Sequence, residues 1–146
     1  MGAIVTGGRG LPFFPSGMTK NGNSSALPNT FTKVTAWTAD TGTYPGSSVV
    51  SDNLVVQGPK SGATISASIV IANSSSAQNA QIQLKIGSTI IATSTATSVP
   101  TFGSATLTCS GPADVALGDQ ITLEAKSTSG FNLTVSGGVN TWVRCT

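Results

Sequence analysis

The sequence predicts an all-β chain, a jelly-roll β-sandwich led by an extended N-terminal arm. Three observations carry that prediction. From residue 31 onward apolar and polar residues alternate in short runs, and no segment sustains a helical period. Clusters of Gly, Pro, Asn and Asp separate those runs and supply turn chemistry. The first stretch instead carries Gly2, Gly7, Gly8, Gly10, Gly17 and Gly22 with Pro12, Pro15 and Pro28 among them, a composition hostile to helices and central strands. The expected division is therefore an extended docking arm over residues 1–30 and a jelly-roll β-sandwich domain over residues 31–146. A chain of 146 residues is enough for one core.

In the arm, Leu11, Phe13 and Phe14 stand beside Pro12 and Pro15 with no local core to join, which marks them as partner-docking residues. A Gly-rich arm loses much conformational entropy on ordering, so a neighbouring subunit or partner is expected to hold it. Residues 30–37 read as the first strand by their β-branched and aromatic content. A loop follows at 41–46, then short strands at 49–50 and 54–56 around the turn Ser51-Asp52-Asn53. The clearest strand is 63–71, with Ala63, Ile65, Ala67, Ile69 and Ile71 on one face and Thr64, Ser66 and Ser68 on the other. Residues 81–86 bury Ile82, Leu84 and Ile86, and Gly87-Ser88 suits a two-residue hairpin turn into a return strand at 89–92. Strands at 105–109, 121–126, 132–135 and 139–145 complete eight to ten in all. The Ser/Thr-rich stretches 92–100 and 126–130 read as solvated connections.

Composition narrows the function. Charged residues are 8% of the chain, against about 25% in an average protein. Hydroxyls and amides must cover the surface, and weak charge repulsion suits a protein held in a fixed assembly. The seven Lys and Arg residues are scattered, so no basic stripe exists for nucleic acid. No apolar run is long enough for a bilayer, and no secretory signal is visible after Met1, so no membrane insertion is expected.

The chain has no histidine, which removes the commonest general base and metal ligand. The acids Asp40, Asp52, Asp114, Asp119 and Glu124 form no facing pair of the kind a glycosidase needs, and capping is the ordinary role of turn aspartates. Calcium shared by Asp40 and Asp52 is the alternative reading of those two. Without a base the serines form no triad. The expectation is a non-enzyme with no catalytic residues, no cofactor and no metal. Cys109 and Cys145 share the phase of inward residues, and both buried thiols and an inter-strand disulfide are open. Trp37, Trp142 and Tyr44 serve core or interface packing, or sugar stacking; Tyr44 and Trp142, the latter beside Arg144, are the candidate surface-recognition residues.

Two stretches carry a resemblance. Residues 37–58 are one; the other is Ala116-Leu-Gly-Asp-Gln-Ile-Thr-Leu-Glu-Ala125, which resembles a late strand entry of the tumour-necrosis-factor-like and complement-like trimeric jelly rolls. Its logic is plain: Gly118 permits a turn, Asp119 caps its amides, and Ile121, Leu123 and Ala125 return to the core. The whole chain, short, weakly charged and rich in Ser, Thr and Gly, also resembles small virion proteins of tailed bacteriophages, of the minor tail or head-decoration type. That resemblance implies a homotrimer and an arm, residues 1–30, docked onto other virion proteins, with 139–145 as the terminal strand. It also implies a virion location after assembly in the host cytoplasm. A minor tail or tail-tip component touching a host cell-surface glycan is the leading expectation. A capsid decoration protein and a carbohydrate-binding module are the alternatives.

Overall fold

A computed structural model describes residues 11–128 and 132–146. They hold thirteen strands: β1 (Ser16–Lys20), β2 (Thr32–Lys33), β3 (Trp37–Ala39), β4 (Ser48–Val50), β5 (Asn53–Val55), β6 (Lys60–Asn73), β7 (Gln78–Ile86), β8 (Thr89–Thr93), β9 (Thr97–Val99), β10 (Ser104–Val115), β11 (Gln120–Ser127), β12 (Leu133–Val135) and β13 (Gly138–Cys145). One sheet runs β10-β6-β13-β1-β3, with β12 beside β6; the other runs β4-β5-β11-β7-β8, with β2 on β11 and β9 on β7. The fold is the expected all-β sandwich of two antiparallel sheets.

The core forms where the alternating residues of the two sheets face each other. Ile65, Ile69 and Ile71 of β6 meet Ile82 and Leu84 of β7 and Ile121 and Leu123 of β11, all fully buried. Each such side chain contributes about 1.5–3 kcal/mol by leaving water. Register holds the set in phase: Leu123 pairs Leu84, and Ile121 pairs Ile86. The Gly-Asp turn behaves as expected. Gly118 has a φ of +89°, and Asp119 Oδ2 accepts the Ala116 N–H at 2.9 Å.

The arm needs correction. Residues 1–10 lie outside the described residues, but Ser16–Lys20 is a sheet strand, not an external arm. It bonds to β13, where Met18 pairs Val143, and to β3, where Met18 pairs Ala39. Met18 is fully buried. The chain then follows β12: Ser24 N–H donates to Val135 O at 2.9 Å, and Leu27 N–H to Leu133 O at 2.8 Å. Residues 16–27 thus belong to the sandwich. The physical reason is that two distant strands leave a slot with unpaired backbone on both sides, and even a Gly-containing segment fills it.

Other boundaries move for similar reasons. The single strand expected over 30–37 is two: β2 pairs β11 in one sheet and β3 pairs β1 in the other. Between them Ala36 takes a φ of +64° as the chain crosses. The stretch 92–100 contains β9, paired to β7. Strand β10 runs on past Cys109 through Pro112, which an edge strand tolerates because its outer N–H needs no partner. Both cysteines are free thiols on inward phases. Strand β6 separates them, with Cys109 paired to Ala67 and Cys145 to Ile65. Strands two apart lie about 9–10 Å from each other, beyond the reach of a disulfide.

Candidate functional site

The outer face of the first sheet is assembled from residues that register places in rows. One row crosses the sheet as Thr108, Ser68, Trp142, Thr19 and Thr38. The next crosses as Ser110, Ser66, Arg144 and Gly17. The rows contain hydroxyls, one indole and one guanidinium, and no carboxylate.

Tyr44 joins this face from the loop after β3. Its N–H donates to Asp40 O at 2.9 Å, its carbonyl accepts the Ser47 hydroxyl at 2.7 Å, and Ser47 Oγ accepts the Gly17 N–H at 3.0 Å. The loop is thereby clamped onto β1. Gly17 is needed there, because a Cβ at that position would lie 2.8 Å from Tyr44 Cδ2. Arg144 lies over both aromatic rings, its guanidinium carbon 3.8 Å from the Trp142 centroid and 5.6 Å from that of Tyr44. Cation–π contacts of this kind contribute about 0.5–2 kcal/mol. Arg144 Nε is buried with no hydrogen-bond partner. Trp142, Arg144 and Tyr44 are all half-buried.

Tyr44 and Trp142, the candidates named from the sequence, are brought together by Arg144, which had not been assigned a role. The signal for Arg144 was its spacing of two from Trp142 on one strand, which puts both on one face. Trp37 belongs elsewhere: it is buried, and its Nε1 donates to Val34 O at 2.8 Å.

The three proposed docking residues divide. Phe13 packs against the core of its own chain, with Lys60 Nζ 5.0 Å from its ring centroid. The segment lies so close that a Cβ on Gly58 would meet Pro12 O at 2.0 Å. Phe14 N–H donates to Gln57 O at 2.7 Å, but the residue is 55% exposed, and Leu11 is 59% exposed. Leu117, also exposed, lines a shallow depression with Leu11 and Phe14. A second depression, of about 350 Å³, lies between Phe14 and Pro45. Pro45 follows Tyr44, so the two sets of candidate residues adjoin.

The carboxylates are occupied as caps. Asp52 Oδ1 accepts the Ala36 and Trp37 N–H groups at 2.8 and 3.2 Å, and Asp40 Oδ1 accepts the Thr43 N–H at 3.2 Å. Asp114 Oδ1 accepts from Ser61 Oγ and Gly62 N. Among the described residues no three His, Cys, Asp or Glu side chains gather as metal ligands. Burial raises the Cys109 and Cys145 thiols to about 11, which keeps both protonated and unreactive near neutrality.

No protein-family model matches this sequence, and no curated protein sequence matches it. Solved structures do. The chain is similar to Eiger TNF from S. frugiperda, with a TM-score of 0.65 at 11% identity over 92% of each chain. It is also similar to murine APRIL at pH 5.0, with a TM-score of 0.64 at 12% identity over 92% of this chain and 98% of that one. The murine APRIL structure at pH 8.0 gives a TM-score of 0.61 at 11% identity over the same shares. The fold is a tumour-necrosis-factor-like jelly roll.

Proposed function

We propose that this chain is a non-enzymatic structural protein of a tailed-phage virion. In this reading it is a minor tail or tail-tip component that associates as a homotrimer through the outer face of its first sheet. Contact with other virion proteins falls to the exposed apolar end around Leu11 and Phe14. The observation that carries the reading is the chemistry of that outer face. It presents two rows of hydroxyl side chains and a stacked Tyr44–Arg144–Trp142 group, with no carboxylate to desolvate. The hydroxyls of such a face cost less to cover than ionic groups do, and its one cation, Arg144, is already stacked on two aromatic rings. The buried, partnerless Arg144 Nε is the kind of group that an ordered water or a neighbouring subunit satisfies. The trimer is what the tumour-necrosis-factor-like resemblance implies, and the virion assignment rests on the style of the chain.

Light scattering on the full chain tests the self-association. The expected mass is three times 14.5 kDa; a clean monomer at micromolar concentration counts against it. Imaging of labelled protein on intact particles separates a tail location from capsid decoration. Sugar stacking on Tyr44 and Trp142 is the second reading, favoured by their half-exposure on one face. A glycan array decides it, since a purely structural trimer binds nothing there.

A further inference from the structure

Lys20 closes β1 on the inward phase and is only 3% exposed. Its Nζ donates to Gly22 O at 2.9 Å and, more weakly, to Asn21 O at 3.4 Å. An ammonium carries three donors, and the third has no partner among the described residues. No carboxylate reaches it either: among the described residues the only ion pair is Lys85 with Glu124. Burial pulls the Lys20 pKa below its ordinary value, opposed by the more distant Asp52 carboxylate, whose Oδ1 accepts the Ala36 and Trp37 amides. A buried cation without a counter-charge is costly and therefore rare.

Lys20 is one of the residues lining a cavity of about 170 Å³ between the segment after β1 and the segment joining β2 to β3. The lining holds two cations, Lys20 and Lys33, and no acidic residue. Lys33 Nζ donates to Ser51 O. Asn23 uses its Oδ1 to accept the Gly137 N–H at 2.9 Å, and a side-chain amide bonded at its oxygen still carries NH₂ donors. Leu27, Pro28 and Val34 add an apolar wall to the lining.

We propose that this cavity is a binding site for a small organic carboxylate, with Lys20 as its counter-ion and the apolar wall against the carbon skeleton of the ligand. The mixed lining separates this class from inorganic oxyanions, which expose charge on every side. A sugar acid is a probe of matching size and chemistry.

The test is an amide-resolved NMR titration of the full chain with sodium glucuronate, methyl glucoside and sodium phosphate. Glucuronate is expected to give saturable shifts at Lys20, Asn23 to Ala26 and Thr32 to Ala36, and methyl glucoside none. Lys20→Met keeps the buried stem and removes the charge; affinity for glucuronate should fall by about tenfold or more, as for loss of a charge-assisted bond. If that variant does not fold, Lys33→Met, at a less buried position, should weaken binding by a smaller factor. Equal shifts with methyl glucoside overturn the proposal, as does undiminished affinity in both variants or no saturable response to glucuronate. Phosphate binding as tightly as glucuronate overturns the carboxylate assignment.

Discussion

The outer faces of the two sheets are built on the same alternation but finish their chemistry differently. On the second sheet the polar side chains answer one another. Gln83 Nε2 donates to Glu124 Oε1 at 2.5 Å, Lys85 stands 3.6 Å from Glu124, Thr122 Oγ1 donates to Asn53 Oδ1 at 2.9 Å, and Asn53 Nδ2 donates to Gln120 Oε1 at 2.8 Å. That face is complete within one chain and carries ionic groups that resist dehydration. The first sheet presents hydroxyls and a stacked arginine whose Nε has no partner. The difference teaches where association is cheap: charge satisfied at a solvated face argues for water, and hydroxyl rows around one stacked arginine with an unsatisfied donor argue for a partner.

The largest expected effect tests whether the first sheet stands without its N-terminal strand. Deleting residues 1–30 removes β1 from between β13 and β3 and empties the site of Met18. The cooperative thermal transition should be lost. A truncated chain that still melts cooperatively would show the sheet closing without β1 and would restore the arm as a separate unit.

Next comes a matched pair of surface charges. Ser68→Glu places a carboxylate in the middle row of the first sheet, beside Trp142 and Thr108. Light scattering should shift from trimer to monomer, because every subunit would bury a carboxylate whose one neighbouring cation, Arg144, is held over two aromatic rings. Gln81→Glu on the second sheet should leave the mass unchanged. If both variants, or neither, dissociate, the two faces do not differ as described.

The thiols give a third contrast, since both lie on the inward side of the first sheet. Their pKa values are raised by burial from 9.0 to about 11. The folded state therefore holds protons that the unfolded chain releases. This stabilisation is whole below pH 9 and is lost as pH rises towards 11, at most about 2–3 kcal/mol per thiol. Urea melts across that range should show the loss, and Cys145→Ala should reduce it by about half, leaving the Cys109 share; an unchanged slope would mean that the thiol does not report the core.

The smallest effect is expected on the second sheet. Glu124→Gln removes the carboxylate near Lys85 but keeps an acceptor for Gln83. The loss should be about 0.5 kcal/mol in denaturant melts. A loss of several kcal/mol would mean that the second face depends on its charges more than its exposure implies.

Much of the sandwich was legible before any coordinates. Strands β6, β7, β11 and the end of β13 announce themselves by alternation, since the buried phase is mostly Ala, Ile, Leu and Val, joined in β13 by Thr141 and Cys145. The Gly118-Asp119 turn was equally readable, because capping is a local event. Strand β1 was not. Its inward positions are Ser16, Met18 and Lys20, and Gly17 stands between the first two, so its pattern resembles a linker. Of the candidate site, Tyr44 and Trp142 could be named as aromatic residues with an outward option, but their meeting at Arg144 could not. The clamp of the Tyr44 loop through Ser47 to Gly17 spans distant stretches of chain.

The sequence by itself determined an all-β sandwich, the core residues of its long strands and a surface with little charge, because side-chain alternation and composition are properties of neighbouring residues. Only the tertiary structure decided that residues 16–20 are an interior strand, that one apparent strand divides between two sheets, and that Lys20 is enclosed beside a cavity. The reason is that a backbone donor needs a partner, wherever that partner lies in the chain. For β1 one partner strand, β3, follows nearby and the other, β13, lies at the far end, and nothing within its own five residues records them.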